Sequence, residues 1–116
     1  SDGPVAIVGY CFGGMLTHIA ASELNVSCAV SYYGGLIAEN HLDKSPDCPI
    51  MYHFGEQDIA IPMENVDLIK EHYPEATIHT YPNAGHGFNC DMRGDYHQPS
   101  AELAFDRSIN FLEENI

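Results

Sequence analysis

Val5-Ala6-Ile7-Val8-Gly9-Tyr10-Cys11-Phe12-Gly13-Gly14 is the stretch on which the reading of this chain turns. An apolar run ends at a glycine, a cysteine stands two residues on, and two glycines follow. This is the Gly-x-nucleophile-x-Gly pattern of a sharp strand-to-helix turn, with Cys11 in the nucleophile's place. Such a turn pushes the central side chain out of the sheet. Its neighbours must be small so that strand and helix pass closely, which suits glycine. The turn also directs the Phe12 amide at the reacting centre, where it can bind an oxyanion. The start of the helix adds a field that favours a thiolate. The same residues also describe a buried cysteine in a glycine-rich turn. The dinucleotide fingerprint Gly-x-Gly-x-x-Gly is not met, because position 11 is Cys.

Outward from this stretch, Pro4 to Gly9 reads as a strand buried on both faces, apolar throughout rather than alternating. Phe12 to about Ser22 reads as a helix with Met15, Leu16, Ile19 and Ala20 on its apolar stripe. Cys28 to Tyr33 is the second strand, closed by Gly34-Gly35, and Leu36 to Ser45 reads as a short helix or a lid-like loop. Pro49 to Phe54 is the third strand, closed by Gly55. Met63 to Tyr73 is an amphipathic helix carrying Val66, Ile69 and Tyr73, with Pro62 where a first turn tolerates proline. Thr77 to Tyr81 alternates as a fourth strand, and Pro82 to Phe88 is dense in turn residues. Residues 89–99 read as irregular. Ser100 is the expected cap of a last helix that buries Leu103, Ala104, Ile109 and Leu112. Alternating strands and helices imply an α/β fold, a parallel sheet of about four strands with flanking helices, as a single domain over residues 1–116.

Composition narrows the partners. The 116 residues carry 17 acids against 4 bases, a formal charge of −13, so nucleic acid and an acidic membrane surface are not expected partners. No apolar run is long enough for a membrane span, and the first residues carry no secretory signal pattern. Cys11, Cys28, Cys48 and Cys90 match neither a zinc site nor a Cys-x-x-Cys pair, and read as reduced thiols of a cytoplasmic protein.

Residues just past the carboxyl ends of parallel strands carry the chemistry of such sheets. Cys11 follows the first strand, Asp58 the third and His86 the fourth, an order expected of an α/β-hydrolase. His86 would take the thiol proton, and Asp58 would fix the imidazole's tautomer. Taken singly, Asp58 also reads as a turn residue or helix cap, and His86 as a loop residue. Phe88 is expected to wall the pocket, with core packing as the competing reading. Glu56 reads as a solvated turn acid. His18, His41, His53, His72, His79 and His97 lack the spacing of a helical metal site, and no metal is expected.

Gly9-Tyr10-Cys11-Phe12-Gly13-Gly14, Phe54-Gly55-Glu56-Gln57-Asp58 with Pro62, and Ala84-Gly85-His86-Gly87-Phe88 resemble the dienelactone hydrolase family. Arg107-Ser108-Ile109-Asn110-Phe111-Leu112 is similar to that family's last helix. The resemblance implies an α/β-hydrolase fold, a triad of Cys11, His86 and Asp58, hydrolysis of esters or lactones, and no cofactor. It begins at the nucleophile strand, so a truncated fold lacking the N-terminal strands is expected. With those strands go a second oxyanion amide, an acid that meets the resting thiol, and a substrate-binding arginine. The dienelactone enzyme also has an arginine four residues after its histidine, where this chain has Cys90, with Arg93 the nearest base. The nucleophile strand then becomes an apolar sheet edge, and a homodimer pairing edge to edge is the expected cover. The alternative to a hydrolase is a truncated, catalytically weak relative that serves as an assembly or binding module. A redox-sensing thiol at Cys11 is a further class, with no resolving cysteine nearby in sequence.

Overall fold

The computed structural model describes residues 4–90 and 96–116, and Arg93 lies outside them. Its elements are β1 (Ala6–Tyr10), α1 (Phe12–Glu23), β2 (Cys28–Tyr32), α2 (Ile37–Asn40), β3 (Ile50–Gly55), α3 (Met63–His72), β4 (Thr77–Tyr81) and α4 (Gln98–Asn115). The four strands form one sheet in the order β1-β2-β3-β4, and every pairing is parallel. The expected α/β architecture is therefore present. β2 and β3 are buried along their whole length, as their largely apolar character requires.

Neighbouring side chains on a strand point to opposite faces. Ser31 and Tyr52 reach α1, through the Gly14 carbonyl at 2.8 Å and the His18 ring at 2.8 Å. Their neighbours Tyr32 and His53 reach Ser108 on α4, at 3.0 and 2.8 Å. Helix α1 thus covers one face of the sheet and α4 the other. The loop after α2 is packed down: the Tyr73 hydroxyl donates to the Lys44 carbonyl, with the carbonyls of His41 and Leu42 also within reach.

Two helix faces differ from expectation. Helix α1 buries Gly14, Met15, Thr17, His18 and Ala21, and leaves Leu16 exposed. Helix α4 buries Ser100, Ala101, Ala104, Ser108 and Phe111, while Leu103 and Ile109 face outward. The cause is the same in both: the helices approach the sheet largely on small residues, and the buried His18 and Ser108 are partnered by the strand side chains Tyr52, Tyr32 and His53. Ser100 does not cap α4. His97 does, its ring nitrogen accepting the Ser100 N–H at 3.3 Å, with Ser100 itself buried in the first turn.

Among the described residues β1 pairs with β2 alone and forms a sheet edge. Val5, Val8 and Tyr10 are exposed along it. No helix among the described residues is long and apolar enough to cross a membrane.

Candidate active site

Parallel pairing places the carboxyl ends of all four strands on one rim. Cys11, Tyr33, Asp58 and His86 follow β1, β2, β3 and β4 in turn.

Cys11 caps the start of α1 with φ 55° and ψ −120°, a region that costs a side chain roughly 1–3 kcal/mol. Its N–H donates to the Tyr32 carbonyl at 3.1 Å, and its carbonyl accepts from Gly14 at 2.9 Å. The strand-to-helix turn needs glycine at positions 9 and 14. A Cβ on Gly9 would lie 2.1 Å from the Gly13 carbonyl oxygen, and one on Gly14 would lie 2.5 Å from that of Tyr32. Phe12 is the first residue of α1, and its side chain is largely exposed. Its N–H is among those for which a helix supplies no internal acceptor.

Asp58 and His86 sit on two turns that are fastened together. Glu56 N–H donates to Tyr81 O and Gln57 N–H to Ala84 O, both at 2.9 Å. Gly55 permits this closeness, since a Cβ there would lie 2.3 Å from the Ala84 oxygen. The Asp58 carboxylate is buried. One oxygen accepts the N–H groups of Ala60 and Ile61 at 2.8 and 3.0 Å. The other accepts from His86 Nδ1 at 2.7 Å. A carboxylate oxygen at that distance accepts the Nδ1 proton, the tautomer in which Nε2 is the free acceptor. The His86 ring stays partly accessible, at 22% of its side-chain surface.

Phe88, expected at the pocket wall, is fully buried. It packs on Tyr33 at 5.2 Å and Tyr81 at 5.0 Å between ring centroids, and reaches the rim through Tyr33. Tyr33 is the rim residue that the sequence reading assigned only to a strand. Its ring meets the His86 ring edge-on at 5.4 Å, and its φ is 38°. Burial, and after it the neighbouring Cys11, push its phenol above the usual range, so it stays neutral. No local pattern announces such a residue.

Among the cysteines, none of which forms a disulfide, burial raises Cys28 and Cys48 and keeps them as thiols. His18 and His53 are packed residues with both ring nitrogens in hydrogen bonds. Among the described residues, no cluster of three His, Cys, Asp or Glu side chains is arranged to hold a metal ion.

The model of the dienelactone hydrolase family matches residues 1–116. The chain is 39% identical to a carboxymethylenebutenolidase from Pseudomonas putida, across 97% of this chain and 49% of that protein. It is 32% identical to carboxymethylenebutenolidase 1 from Cupriavidus pinatubonensis, again over 97% of this chain and 49% of the other. A crystal structure of a proposed dienelactone hydrolase from Klebsiella pneumoniae superposes with a TM-score of 0.85 at 29% identity, over 90% of this chain and 50% of that one. Est1E from Butyrivibrio proteoclasticus shares the fold at a TM-score of 0.75 and 16% identity, over 97% of this chain and 61% of that one. The chain spans about half the length of the curated relatives it matches.

Proposed function

The chain belongs to the dienelactone hydrolase family, and we propose that it carries the Cys-His-Asp machinery of a hydrolase of small carboxylic esters or lactones. The observation that carries this reading is the 2.7 Å hydrogen bond from His86 to buried Asp58, on the same sheet rim as the strained turn of Cys11.

The steps follow from the groups present. His86 Nε2 takes the proton of the Cys11 thiol. The sulfur attacks the ester carbonyl, and the Phe12 N–H stabilises the oxyanion that forms. The tetrahedral species collapses, the C–O bond breaks, and the imidazolium protonates the departing alkoxide. Water, deprotonated by His86, then attacks the thioester. The acid leaves and the thiol is restored. Asp58 holds the imidazole in the tautomer that the first step needs and steadies its cation. Phe88 backs the acyl pocket through Tyr33. The sequence of steps calls on no metal or organic cofactor.

A cytoplasmic setting, which keeps thiols reduced, suits a cysteine nucleophile. The β1 edge carries no charge or proline between Ala6 and Tyr10, the devices that discourage pairing. A second copy, pairing across a two-fold axis, would continue the sheet. Light scattering at micromolar concentration reads this directly, and a monomer overturns it.

The test of the activity is hydrolysis of p-nitrophenyl acetate by the wild type, Cys11→Ala and His86→Ala. Loss in both variants is expected. Activity that is absent, or indifferent to both changes, removes the hydrolase reading in favour of a weak relative serving in assembly. Alkylation of Cys11 by iodoacetamide at about pH 6 reports separately on thiolate character.

A further inference from the structure

Asp58 fixes one atom of the His86 ring, and one hydrogen bond does not fix a ring plane. His86 stands between Gly85 and Gly87, the latter at φ 75°, so its own loop offers little packing to hold it. Tyr33 supplies a second contact. The backbone around Tyr33 is tied to the Cys11 turn. The Tyr32 carbonyl before it accepts the Cys11 N–H at 3.1 Å, and Gly34 after it lies on the start of α1, where a Cβ would come within 2.8 Å of Gly14 and Met15 backbone atoms. A third tie runs from the Tyr33 N–H to the His53 carbonyl at 2.7 Å.

The side chain runs toward the histidine loop. Its ring meets the edges of His86 at 5.4 Å and Phe88 at 5.2 Å. Its phenol oxygen lies near the backbone N–H of Asn89. The residue is 1% exposed, so these contacts are shielded from water. A bulky residue at φ 38° is strained, and such strain persists only where the surroundings over-determine it.

We infer that Tyr33 is a positioning residue that braces the His86 loop against the Cys11 turn and sets the plane of the imidazole. This rests on the triad reading above for its meaning in catalysis, but the bracing itself is read without turnover.

The experiment is NMR on the full chain with labelled histidine. In Tyr33→Leu the His86 ring signals should split or broaden, and its Nδ1 proton should exchange with water about tenfold faster or more, since the imidazole loses its second contact. The distant His18 signals should stay in place. Tyr33→Phe should keep the His86 signals and speed exchange of the Asn89 amide. In turnover of p-nitrophenyl acetate, Tyr33→Leu should lose about 100-fold in kcat with KM little changed, and Tyr33→Phe should recover most of it. A folded Tyr33→Leu whose His86 signals and exchange match the wild type overturns the inference. Should that variant not fold, an unchanged Asn89 amide in Tyr33→Phe overturns it. A wild type without activity sinks the hydrolase reading and leaves the NMR result to decide the bracing.

Discussion

Asp58 divides its carboxylate between two tasks: Oδ2 lies 2.7 Å from His86 Nδ1, while Oδ1 takes the N–H groups of Ala60 and Ile61. The tasks separate by substitution. In Asp58→Asn the amide oxygen can keep the turn, while its NH2 group faces Nδ1 and imposes the wrong tautomer. We expect kcat to fall by about 10³–10⁴ with little change in stability. Asp58→Ala should lose the activity and also leave two turn amides without an acceptor, for a further ~1–3 kcal/mol. Kinetics and urea unfolding of both variants check the division.

The Cys11 backbone stores strain that glycine would relieve. At φ 55° and ψ −120° a Cβ costs about 1–3 kcal/mol, against about 0.5–1 kcal/mol for the greater freedom of glycine in the unfolded chain. Cys11→Gly should therefore be more stable than the wild type by about 1 kcal/mol in urea unfolding, and inactive. A destabilised Cys11→Gly would mean that the thiol's packing outweighs the strain.

The strands and the rim residues were legible because their signals are local. Thr77–Tyr81 alternates and is a strand over those residues, and Cys11, Asp58 and His86 each stand beside glycines or turn residues that end a strand. The helix faces were less legible. Periodicity favours the bulkiest apolar residues, Leu16 or Leu103, yet α1 and α4 lie on the sheet through Gly14, Ala21, Ala104 and Ser108. His18 and Ser108 look like surface residues until Tyr52, Tyr32 and His53 are seen to partner them. Tyr33 has the residue type of a strand and gains its place from a backbone turn and a loop far along the chain.

His53 makes stability depend on pH. It is wholly buried, with Nδ1 bonded to the Tyr81 hydroxyl at 2.7 Å and Nε2 to Ser108 Oγ at 2.8 Å. Burial first, then His79 and Arg107 nearby, bring its pKa down to about 3. The unfolded chain protonates this residue near the ordinary 6.5, whereas the native state does not until about pH 3. Between those values the unfolded state binds more protons. Stability is therefore full above about pH 6.5 and falls on acidification, by up to ~1.4 kcal/mol per pH unit for this proton. Burial lowers His18 too, which steepens the fall. Urea unfolding at about pH 7, 6 and 5 should show the slope, and His53→Gln should reduce it by one proton. A slope unchanged in that variant would assign the effect elsewhere.

Gly9 and Gly13 look alike in the nucleophile motif, and the structure separates them. A Cβ on Gly9 would meet the Gly13 carbonyl oxygen at 2.1 Å and Thr17 Oγ1 at 2.3 Å, and the first of these is backbone that cannot turn aside. A Cβ on Gly13 would meet nothing within 4 Å, and the residue lies inside α1. Gly9→Ala must therefore push strand and helix apart, at a cost of about 2–3 kcal/mol or more. Because the same contact sets the Cys11 turn, esterase activity should fall with it. Gly13→Ala should gain up to about 1 kcal/mol from helix propensity and keep its activity. Thermal unfolding of the two variants, side by side with the p-nitrophenyl acetate assay, reads both expectations. Equal stability of the two would contradict the tight strand–helix crossing on which the Cys11 turn is built.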